Sequence, residues 1–109
     1  MNTEKIKAVP NEGQRRWLEL AAKGAGIQYR WSSKEGFVVV ETQRTWNPLA
    51  DFGDAMELAQ KLLMTFELRS DYARACVGET CCEERDHDPF AALRIAVVKV
   101  AVEIGKNCS

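Results

Sequence analysis

This 109-residue sequence has one histidine, three prolines and no long apolar run. No stretch approaches the roughly 18 apolar residues of a membrane-spanning helix. Neither charge sign dominates: 15 Lys/Arg stand against 16 Asp/Glu, net −1. That balance fits neither the strongly basic profile of a dedicated nucleic-acid binder nor a polybasic membrane anchor. Met1 to Pro10 is mixed in charge and lacks an apolar core, so no signal peptide is expected. The expectation is a reducing cytoplasm, in which Cys76, Cys81, Cys82 and Cys108 stay free. A glycine-rich phosphate loop is also missing. Gly24-Ala25-Gly26 leads into a strand pattern and offers no helix N-terminus to a phosphate.

What is present is ordinary globular composition, 46% hydrophobic and 28% charged, at a length of one domain. Residues 1–10 read as an arm and residues 11–107 as a single domain. Asn11 and Gln14 have capping-box spacing. A first helix follows, with Trp17, Leu20 and Ala21 on one face, and Gly24-Ala25-Gly26 ends it. Ile27, Tyr29 and Trp31 alternate with polar residues as in a half-buried strand, and residues 37–42 return as its partner. Asp51 caps a second helix expected over about 52–66. Two further strands are expected over 72–77 and 80–85, joined at Gly78-Glu79 with glycine first. Asp88-Pro89 opens a last helix, in which 12 of the 15 residues from Phe90 to Ile104 are apolar. The predicted order is α-β-β-α-β-β-α. The fold class is α+β: a small antiparallel sheet of two hairpins packed with three helices, an α/β sandwich.

Two segments carry a family resemblance. One is Trp46-Asn47-Pro48 with Asp51 and Asp54-Ala55-Met56; the other is Asp88-Pro89-Phe90-Ala91-Ala92-Leu93-Arg94. Together they resemble the small phage and prophage proteins of the "phage ABA sandwich" type, related to the NinX group, over about residues 27–105. In that family a Trp-x-Pro-Ser-Thr-Asp-like loop opens a helix, and an Ala-rich helix closes the domain. This chain departs in having Leu49-Ala50 where the family has Ser-Thr, and Arg94-Ile95-Ala96 where it often has a cysteine. The resemblance implies phage or prophage origin and an α/β sandwich, and supplies no reaction.

Thiols and imidazole are zinc ligands, but Cys76, Cys81, Cys82 and His87 lie along strands. If Gly78-Glu79 is the turn, Cys76 opposes Cys81 and Cys82 points to the other face. His87 lies about 20 Å beyond Cys81 on an extended strand. No metal site and no cofactor are therefore expected. A cysteine nucleophile has no close base, since His87 sits between Asp86 and Asp88. The acids Glu83, Glu84, Asp86 and Asp88 read as a solvated face.

The expected function is a phage-derived accessory protein, non-enzymatic, that binds a protein partner. The alternative is weak nucleic-acid binding by the basic first half, which carries net +3 against −4 for the second. Candidate binding residues are Trp46, Asn47, Arg15, Arg16, Arg30 and Arg44. Trp46 is either a recognition aromatic or, the favoured reading, a plug over the core. The apolar last helix is expected either to pair with a second copy through Val97, Val98 and Ala101 or to be covered by the arm with Ile6 inserted. The dimer is favoured.

Overall fold

A computed structural model describes residues 8–108 of the chain. Three helices and six strands follow in the order α1 (Glu12–Ala25), β1 (Tyr29–Ser32), β2 (Gly36–Val39), β3 (Thr45–Trp46), α2 (Phe52–Lys61), β4 (Thr65–Leu68), β5 (Tyr72–Val77), β6 (Thr80–Arg85) and α3 (Pro89–Lys106). The fold is α+β, as the sequence pattern predicts. It differs in having two three-stranded antiparallel sheets, β1-β2-β3 and β4-β5-β6, where a single sheet of two hairpins was expected. A helix followed by a three-stranded meander thus occurs twice before α3 closes the chain.

Each additional strand has a local cause. The strand expected over 37–42 stops at Val39, because Gln43 adopts φ 57° and turns the chain back into β3. The helix expected over 52–66 stops at Lys61. Leu63 adopts φ 53°, while its N–H donates to the Gln60 carbonyl and that of Met64 to the Ala59 carbonyl. This is a Schellman ending with leucine where glycine is usual. Phe66, expected on the helix, is released into β4.

The other terminators behave as their residue types dictate. Asn11 Oδ1 accepts from Gln14 N–H at 2.8 Å, and Gln14 Oε1 accepts from Asn11 N–H at 3.1 Å. Asp88 Oδ1 caps the Phe90 and Ala91 N–H groups, with Pro89 in the first turn. Gly78, at φ 58°, takes the first position of the β5–β6 turn.

The core forms around α3. This helix lies between α1 on one side and the β5–β6 part of the second sheet on the other, with α2 packed against it as well. Ala92, Leu93, Ala96, Val97, Val98, Val100, Ala101 and Val102 are all buried. The surface assigned by sequence to a second copy, Val97, Val98 and Ala101, is therefore already filled within the protomer. Glycine makes this possible: a Cβ on Gly24 would lie 2.5 Å from the Ala101 carbonyl oxygen, and one on Gly105 would overlap the Leu20 carbonyl. The α1 and α3 backbones meet where neither carries a side chain. Ile6, the alternative cover, lies outside the described residues. Of the expected arm, Pro10 is buried, and the Ala8 carbonyl accepts a 2.8 Å hydrogen bond from Asn47 Nδ2.

The first sheet contributes one aromatic row. Trp31, Phe37 and Trp46 are in register across its three strands and pack edge to face at 5.1 and 5.9 Å. Among the described residues no helix is long and apolar enough to cross a membrane.

Candidate protein-docking surface

The loop that carries the Trp-Asn-Pro motif is a structural lock. Asp51 Oδ2 caps α2 at the Asp54 N–H, 2.9 Å away. Asp54 Oδ2 accepts from the Asn47 N–H at 2.8 Å, and Asn47 Oδ1 accepts from the Leu49 N–H at 3.1 Å. Arg94 Nε of α3 donates to the Leu49 carbonyl, and Phe90 packs edge to face on Phe52 at 5.3 Å. The two motif segments therefore meet, through Arg94 and the Phe52–Phe90 pair, and their other polar groups are engaged in bracing the loop and capping α2 and α3. Trp46 and Asn47 are each only 4% exposed. Trp46 is the plug, and its accessible edge lies in a groove of about 450 Å³ with Ile27, Val39 and Leu58, rimmed by Glu41, Glu57 and Lys61.

The four candidate arginines do not form one surface. Arg15 stacks on Trp31, 4.0 Å from the ring centroid, and pairs with Glu19 at 3.3 Å. Arg16 is exposed beside a groove shared with Glu19, Lys23, Ile27 and Tyr29. Burial, followed by the nearby Glu19 carboxylate, pushes the Tyr29 phenol above its ordinary range. Arg30 lies between Tyr29 and Trp31 on β1, so it projects from the opposite sheet face. Arg44 is exposed in the turn between β2 and β3.

Cys76 and Cys81 are register partners, as expected, with Cα atoms 4.1 Å apart. The expectation that they stay free thiols is corrected: the structure joins them in a disulfide. At a directly opposed position of the hairpin the register itself brings the two sulfurs within bonding reach. Cys82 faces α3. Burial, and then the Glu103 carboxylate, push its thiol pKa up, which disfavours a nucleophilic thiolate. Among the described residues no three His, Cys, Asp or Glu side chains converge on one point.

The feature that sequence reasoning missed is the β4 edge. α3 covers β5 and β6 but barely reaches β4. Phe66 and Leu68, in register with the buried Ala75 and Ala73, remain 48% and 39% exposed on the helix side of the sheet. Leu63, just before the strand, is 84% exposed. Exposed edges are commonly blunted by lysine, proline or inward-pointing charge. The opposite edge, β6, follows that rule, with Glu84 directed toward α3 and paired with Lys99. On β4 the corresponding positions are apolar. The missed signal was the alternation of Phe66 and Leu68 with Thr65 and Glu67, concealed by a helical reading that ran through Phe66.

No family model, curated protein or solved structure matches this chain.

Proposed function

We propose that the protein is a non-enzymatic binding module that receives an extended segment of a protein partner along β4. The observation that carries this reading is the unblunted edge strand, which presents Phe66 and Leu68 on one face beside backbone edge positions that no other strand pairs among the described residues. An added strand would take its affinity from main-chain hydrogen bonds, and its specificity from apolar side chains at alternate positions resting on Phe66 and Leu68. The resemblance of the Trp46–Met56 and Asp88–Arg94 segments to phage ABA sandwich proteins supports a prophage accessory role in the host cytoplasm.

The test is a peptide-display selection on the immobilised protein. Peptides with apolar residues at alternate positions should be enriched, and their binding should be lost in the Phe66→Lys/Leu68→Lys double variant. Selected peptides that bind the variant as well as the parent would overturn the reading. A pull-down from prophage-induced cells with the same two proteins then identifies the natural partner. A second reading, weak nucleic-acid binding, draws on the groove where Arg16 and Lys23 flank Tyr29. It requires retention on DNA or RNA that falls steeply with salt and is lost in Arg16→Gln/Lys23→Gln.

A further inference from the structure

We propose that Cys76 and Cys81 form a reversible, redox-active disulfide on the open face of the β4–β6 sheet. The two residues are directly opposed in a six-pair ladder that runs from Tyr72↔Arg85 to Val77↔Thr80 and closes at Gly78-Glu79. Turn and ladder set that register, so the two thiols remain side by side when the bond is open. A bond spanning five residues also closes a short loop, the kind that constrains the unfolded chain least. Both oxidation states are therefore compatible with the same fold.

Access favours exchange, and one cation shares the face. The row Thr65–Cys76–Cys81 lies on the face turned away from α3, with Cys81 exposed and Cys76 half-buried. Arg74 shares that face and lines one shallow groove with Thr65, Glu67 and Cys76. Arg74 stands in register between Glu67 and Glu83, and its guanidinium is the cation of the groove into which a thiolate leaving from Cys76 is released; a stabilised leaving thiolate departs faster.

The reductant is a dithiol. Its thiolate attacks Cys81 Sγ, the Cys76–Cys81 bond breaks, and the electron pair leaves on Cys76 Sγ, which takes up a proton. The mixed disulfide on Cys81 is then attacked by the reductant's second thiol. Cys81 leaves as thiolate and is protonated. The protein gains two electrons and two protons, and the dithiol becomes a disulfide. Cys82 takes no part, because it faces α3 on the other side of the sheet.

The experiment equilibrates the full chain over graded ratios of reduced to oxidised glutathione, quenches by alkylation and weighs the products. Cys76 and Cys81 should become labelled together, in one two-electron transition, while labelling of Cys82 does not follow the ratio. A pair that is open at every ratio, closed at every ratio, or modified by glutathione one cysteine at a time would overturn the proposal. Reduction by dithiothreitol should be roughly threefold or more slower in Arg74→Gln and near the parental rate in Arg74→Lys. Equal rates in all three proteins would overturn the assignment of Cys76 as the leaving sulfur.

Discussion

Single residues here answer for more than their type announces. Trp46 has the local sequence of a recognition loop, between Arg44 and Pro48, yet it is 4% exposed and closes the end of the aromatic row begun by Trp31 and Phe37. Its burial follows from the company it keeps: Asn47 and Pro48 are buried beside it, and Asn47 is tied to Asp54 and to the Ala8 carbonyl. Those bonds hold the loop in the conformation that turns the indole inward. Trp46→Ala should therefore cost roughly 3–5 kcal/mol, the range for deleting a large buried aromatic. Urea unfolding followed by circular dichroism measures it. A loss below about 1 kcal/mol would show that the site relaxes around the missing ring.

At the scale of elements, the sequence was legible wherever an ending is written in side-chain chemistry. The Asn11/Gln14 capping box, the Gly26 stop, the Gly78-Glu79 turn and the Asp88-Pro89 start all stand where their residues predict. It was illegible where an ending is made by a residue poorly suited to it. Leu63 continues the apolar stripe of Leu58, Ala59 and Leu62, so periodicity carries the helix through it. The backbone instead turns left-handed there and leaves the side chain 84% exposed. That one residue hid β4, and with β4 the candidate docking edge. A left-handed conformation costs a leucine on the order of 1–2 kcal/mol, and glycine avoids that cost. Glycine's extra freedom in the unfolded chain returns roughly 0.5–1 kcal/mol of the gain. Leu63→Gly should therefore raise stability by about 0.5–1 kcal/mol, read as a higher urea midpoint at unchanged slope. A lower midpoint would mean that the Leu63 side chain makes a stabilising contact that its exposure does not reveal.

For the whole molecule, the question raised by the sequence was where the apolar surface of the last helix goes. Twelve apolar residues in fifteen exceed what one sheet face can cover, which leaves a second copy or the N-terminal arm as the expected cover. The molecule meets the excess internally: α3 sits between α1 and the second sheet, and the Gly24 and Gly105 contacts let the helices approach closely enough to exclude water from Val97, Val98 and Ala101. Exposed apolar surface remains on the rim at the Phe52–Phe90 pair, at the start of α3, and at the β4 edge, and of these two only β4 also offers a strand edge to another molecule. The isolated chain should accordingly scatter light as a monomer near 12.3 kDa at micromolar concentration. A mass near twice that value would mean that an exposed surface self-associates, and the Phe66→Lys/Leu68→Lys protein tests whether that surface is β4. If it is monomeric, two β4 edges pair about a two-fold axis and the partner of this module is its own copy. If it remains dimeric, the association lies away from β4, and the exposed Phe52–Phe90 pair at the start of α3 is the next surface to test.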